Sequence, residues 1–93
     1  MQEDSLKKAC ILVVDDVDLH CATAQGMLTN IGVKHIMFAN NGHDALDIIR
    51  SRTVDIVLLD YLMPGINGIE VLRIVRTEES IAESLVILTT AAN

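Results

Sequence analysis

An α/β fold built on a parallel sheet is predicted by three features of the chain. Two runs, Cys10-Ile11-Leu12-Val13-Val14 and Val54 to Leu59, are apolar without strict alternation, as expected of strands covered on both faces. Between such runs lie segments whose apolar residues recur every three to four positions, the spacing of helices. Strict alternation of the two patterns with short connections indicates right-handed βαβ crossovers.

The first strand covers residues 10–14. Asp15-Asp16-Val17 follows, and Asp18 is a candidate cap for a helix carrying Leu19, Ala22, Ala24, Met27, Leu28 and Ile31, with Gly32 as its stop. A short strand is expected over 34–39. Asn40-Asn41-Gly42 is a turn or cap before a second helix with inner residues Ala45, Leu46, Ile48 and Ile49, ended by Ser51-Arg52-Thr53. The strand 54–59 runs into Asp60. A loop with Pro64, Gly65 and Gly68 then precedes a third helix bearing Ile69, Val71, Leu72, Ile74 and Val75. Thr77-Glu78-Glu79-Ser80 leads to a fourth strand, Leu85 to Leu88, closed by Thr89-Thr90-Ala91.

With 93 residues the chain is expected to form one domain, 1–93, with residues 1–8 as a polar N-terminal extension. The composition is 51% hydrophobic with one Phe, one Tyr and no Trp, so the core must be aliphatic. A formal charge of −6 argues against direct contact with nucleic acid or an anionic membrane and favours a cation or a basic partner. Cys10 and Cys21 show no CxxC spacing and read as free, buried thiols. No signal-peptide pattern and no run of membrane-spanning length occurs, which places the chain in the cytoplasm as an expectation.

Asp15, Asp16 and Asp60 all follow apolar strands, and in an open α/β sheet ligands bind outside the carboxyl ends of the strands. Carboxylates that converge there either share protons or bind a hard cation through oxygen. Mg²⁺ suits a small acidic cluster, because it keeps several waters and takes one or two protein carboxylates. A carboxylate beside such an ion can attack phosphorus, and Asp60, alone at its strand end, is the candidate nucleophile. The Thr90 hydroxyl is a candidate donor to the phosphoryl group.

Val13-Val14-Asp15-Asp16, Asp60-Tyr61-Leu62-Met63-Pro64-Gly65-Ile66-Asn67-Gly68 and Leu88-Thr89-Thr90-Ala91 together resemble the receiver domains of two-component response regulators. The resemblance implies a flavodoxin-like fold with strand order 2-1-3-4 for the strands present. It also implies Mg²⁺ held by Asp16 and Asp60 with help from Asp15 and the Leu62 backbone carbonyl, Asp60 as phosphoacceptor and Thr90 as the switch residue. The implied donor is a sensor histidine kinase or a histidine phosphotransfer protein, and the implied chemistry is limited to self-phosphorylation and loss of the chain's own phosphate.

Receivers continue with a fourth helix, a fifth strand bearing a lysine and a fifth helix, about 30 residues in a further βα unit, and none of these is in the sequence. The expectation is an incomplete receiver domain with impaired phosphotransfer. It should self-associate, as a dimer for example, through the apolar fourth strand or the helix faces left bare. The alternative function is a receiver-derived interaction module without phosphotransfer. A phosphohydrolase is disfavoured, since Leu62 stands where a second acid would be needed. His20, His35 and His43 fall on separate elements and read as surface or half-buried residues. Met27, Met37 and Met63 are expected to fill core or loop gaps, Glu78-Glu79 to form a solvated helix end, and Asp18 to cap its helix.

Overall fold

The computed structural model describes residues 3–60, 63, 65–78 and 85–89. Its elements are α1 (Glu3–Lys8), β1 (Cys10–Val14), α2 (Asp18–Asn30), β2 (His35–Ala39), α3 (Gly42–Ser51), β3 (Ile56–Asp60), α4 (Gly68–Thr77) and β4 (Leu85–Thr89). The strands form one sheet in the order β2-β1-β3-β4, and every neighbouring pair is parallel. This is the flavodoxin-like α/β arrangement with order 2-1-3-4.

Period-two alternation divides the apolar strand residues between two cores. Leu12, Val14, Ala39, Val57 and Leu59 pack with Ala45, Leu46 and Ile49 of α3 and Val71 and Val75 of α4. Ala9, Ile11 and Val33 form a smaller cluster with Leu6 of α1, Leu28 of α2, Ile36, Ile56 and Leu58. β3 begins at Ile56, later than residue 54, because Asp55 spends its polar groups before the strand. Its Oδ2 accepts from the Cys10 N–H at 2.8 Å while its own N–H donates to the Cys10 carbonyl at 2.9 Å.

α3 buries its apolar stripe as the spacing predicts, α4 buries Val71 and Val75 but leaves Ile69 exposed at its first turn, and each starts on an asparagine. Asn41 Oδ1 accepts from the Asp44 N–H at 2.8 Å and Asn67 Oδ1 from the Glu70 N–H at 3.0 Å. Gly42 opens α3 against the α4 side: a Cβ there would come within 2.5 Å of Ile66 Cγ1 and 2.8 Å of Val71 Cγ2. Only glycine permits that approach.

α2 differs from expectation. Among its residues none is fully buried, and its inward residues are His20, Cys21, Ala24 and Leu28, whereas Leu19 is 72% exposed, Met27 66% and Ile31, at its C-cap, 56%. The helix carries apolar residues on opposite sides, so periodicity alone does not select the side that meets the sheet. Met27 is therefore a surface residue, unlike Met37, which packs on the core, and buried Met63. Cys10 and Cys21 are free but only half-buried. Gly32 ends α2 as predicted, at φ +109°, with its N–H donating to the Thr29 carbonyl and the Val33 N–H to that of Leu28. Within the N-terminal extension Glu3–Lys8 forms a turn of helix, seated by Leu6.

Glu78 is more than a solvated helix end. Arg50 Nε and Nη2 donate to its two carboxylate oxygens at 2.8 and 2.7 Å, joining the end of α3 to that of α4. These hydrogen bonds, and secondarily the guanidinium charge, hold the Glu78 carboxyl below its ordinary 4.5. A depressed carboxylate contributes stability that is present above its unfolded-state pKa and lost as the pH falls through the folded one. In thermal melts taken from neutral pH downward, Arg50→Ala should trail the wild type at neutral pH, and the gap should close below 4.5. The pair is exposed to solvent, so the gap is small.

Candidate functional site

The site follows from the register of the two central strands. Val14 of β1 pairs with Leu59 of β3, and one residue beyond that pair stand Asp15 and Asp60. Asp16 follows Asp15 out of the sheet. One ligand oxygen from each of these carboxylates lies within 4.8 Å of the others. Asp60 is 4% exposed and Asp15 8%, while Asp16 is open to solvent. All three residues predicted from the sequence thus converge at the carboxyl end of the sheet. Thr89 pairs in register with Asp60, and both Thr90 and Leu62 lie outside the described residues.

Asp15 is fixed from several directions. Its N–H donates to the Ala39 carbonyl at 3.1 Å, extending the β1–β2 ladder by one step. Oδ1 accepts from the Val17 N–H at 2.9 Å, an Asx-type turn that starts α2. Oδ2 faces His20 Nδ1 at 2.9 Å. The cap of α2 is consequently Val17, with no side-chain bond of its own. Asp18 is the first helical residue, so the capping role expected of it belongs in part to Asp15.

His20 is a neighbour of the acidic cluster that sequence reasoning did not place there. A signal existed, since a residue in the first turn of a helix reaches back over the residues that precede it, as in a capping box. Cys21 sits one position further, its thiol 3.6 Å from the Asp15 carbonyl oxygen. Burial, and then the negative charge of Asp15, Asp18 and Asp16, push that thiol up from its ordinary 9.0. It is therefore kept protonated at neutral pH and is a poor nucleophile. His35 and His43 are exposed and remote in sequence from the acidic cluster, as expected.

The donor set tests whether a cation fits. Hard carboxylate oxygens alone, crowded within 4.8 Å and two of them largely removed from water, match a hard divalent ion and not a soft one. A compact group of anions at a strand end also repels itself, which a bound cation relieves. Among the described residues no helix is long and apolar enough to cross a membrane.

Comparison with known proteins agrees with this geometry. The profile of the response regulator receiver domain matches residues 11–93. The transcriptional regulatory protein ZraR of Klebsiella oxytoca is 42% identical over 67 residues, 72% of this chain and 15% of that protein. The chemotaxis protein CheY of Pseudomonas aeruginosa is 33% identical over 81 residues, 87% of this chain and 65% of that protein. The chain thus spans less than two thirds of either relative. Among solved structures, the response regulator TrrA of Thermotoga maritima, in complex with Mg²⁺ and beryllium fluoride, superposes with a TM-score of 0.83 at 36% identity, covering 91% of this chain and 71% of that one.

Proposed function

Because the chain belongs to the response regulator receiver domain family of two-component signalling, we propose that it is a phosphoacceptor module that takes a phosphoryl group onto Asp60. The observation that carries this reading is a buried Asp60 at the end of β3 with Asp15 and Asp16 within 4.8 Å. A carboxylate oxygen of Asp60 attacks the phosphorus of a phosphohistidine, the P–N bond breaks, and the imidazole departs with the bonding electrons, leaving an aspartyl phosphate. Asp15, Asp16 and Asp60 would hold Mg²⁺, and the family resemblance assigns the Leu62 backbone carbonyl as a further ligand. Bound there, the ion supplies positive charge against the phosphoryl oxygens. The role of donating a hydroxyl to the phosphoryl group falls, by the family resemblance, to Thr90. The donor is a sensor histidine kinase or a histidine phosphotransfer protein in the cytoplasm, and the chain acts on no substrate other than its own phosphate.

Beryllium fluoride is a suitable probe, since it bonds to a carboxylate oxygen and mimics a phosphoryl group. With Mg²⁺ present it should raise the melting temperature of the wild type; absence of any response would remove the phosphoacceptor reading.

Self-association belongs to the same reading. The exposed Leu19 and Met27 of α2, Ile31 at its C-cap and Ile87 of β4 support it, as apolar surface that association would bury. Light scattering should show a mass above that of one chain that rises with concentration; a constant monomer mass would contradict it.

A further inference from the structure

The least expected contact in the site is that of His20 with Asp15, and it has a consequence for the cation. Asp15 is 8% exposed, and the side chain of His20 is 40% exposed and on the first turn of α2. An ionised carboxylate can only accept, so the 2.9 Å contact requires a proton on Nδ1, which both the Nδ1–H tautomer and the imidazolium carry. The Val17 N–H occupies Oδ1 and His20 occupies Oδ2, so each oxygen of Asp15 has one donor that sets its direction. Without the ring, the Val17 N–H at Oδ1 is the one remaining side-chain restraint among the described residues, and the last torsion of Asp15, which is soft for aspartate, is less tightly held.

Resting on the phosphoacceptor reading above, we propose that His20 is a positioning residue: its Nδ1–H fixes the Asp15 carboxylate so that the acidic cluster is preorganised for Mg²⁺. It does not touch the ion. It acts as the outer partners of metal ligands do, by fixing the orientation of a ligating group that would otherwise have to be ordered on binding. The restraint also couples the cation site to α2, since the ring that holds Asp15 is carried on that helix next to Cys21, whose thiol lies against the Asp15 carbonyl oxygen.

Asparagine places an N–H donor at the δ position, where the histidine ring has Nδ1, but carries no ring and no charge, so it separates the hydrogen bond from everything else the ring does. Mg²⁺ is titrated into the full chain by calorimetry for wild type, His20→Ala and His20→Asn, with the melting temperature of each taken without metal to confirm folding. The expected result is an affinity about tenfold weaker or more in the alanine variant, with the asparagine variant close to the wild type. Equal affinities in all three, or tighter binding in both variants, would overturn the proposal, the latter because the ring would then be competing with the cation. Asparagine weakening binding as much as alanine would overturn it too, because the donor would not be what matters. A wild type that binds no Mg²⁺ would instead overturn the phosphoacceptor reading, and this inference with it.

Discussion

Asp60→Asn is expected to abolish the response to beryllium fluoride while leaving the fold intact. The amide matches the carboxylate in shape but offers no anionic oxygen, so no bond to beryllium or phosphorus can form there. Two further effects follow from the crowding of the three carboxylates within 4.8 Å. Removing one charge relieves repulsion on the order of 1 kcal/mol, so the metal-free variant should melt above the metal-free wild type. The gain from Mg²⁺ should then shrink: a ligand at a hundred times its Kd stabilises by about 2.7 kcal/mol, and the variant has lost one of its anionic ligands. Paired melts with and without Mg²⁺ measure both effects. A variant that melts lower without metal, yet gains as much from Mg²⁺ as the wild type does, would show that Asp60 serves the fold and not the ion.

Leu12→Ala should have the largest effect on stability. Leu12 is fully buried in β1, between β2 and β3, within the larger core under α3 and α4. Deleting it removes about 2–5 kcal/mol, counting the cavity left behind, from a total of about 5–15 kcal/mol typical of a small domain. Urea unfolding should show the midpoint falling sharply with the slope unchanged, or no cooperative transition at all. Leu19→Ala is the control, since Leu19 is 72% exposed and should change stability by no more than about 0.5 kcal/mol. Similar losses in both variants would mean that α2 packs through Leu19, contrary to the structure.

That contrast marks where the sequence was legible. The strands were readable because each is a short, mainly apolar run, and β1 has the predicted bounds; α3 and α4 were readable because most of their apolar residues recur on one side, Ile69 of α4 being the exception. The convergence of Asp15, Asp16 and Asp60 could be read because adjacent parallel strands must deliver their carboxyl ends to one edge. The face of α2 was not readable, because Leu19 lies opposite Ala24 and Leu28, Met27 lies between the two sides, and hydrophobicity favours neither. The start of β3 shifted because Asp55 bonds to Cys10 across the sheet, a pairing between residues 45 apart. His20 escaped notice for a similar reason. Its partner is set by the turn from β1 into α2, where Asp15 begins the turn and Asp18 begins the helix.

The central claim, that Asp60 is the phosphoacceptor, is tested most directly by incubating the chain with Mg²⁺ and a small-molecule phosphodonor and measuring its intact mass, followed by peptide mapping. One added phosphoryl group, located on Asp60, dependent on Mg²⁺ and absent from Asp60→Asn, is the predicted result. An unchanged mass in the wild type, or a phosphoryl group that persists in Asp60→Asn, would contradict it.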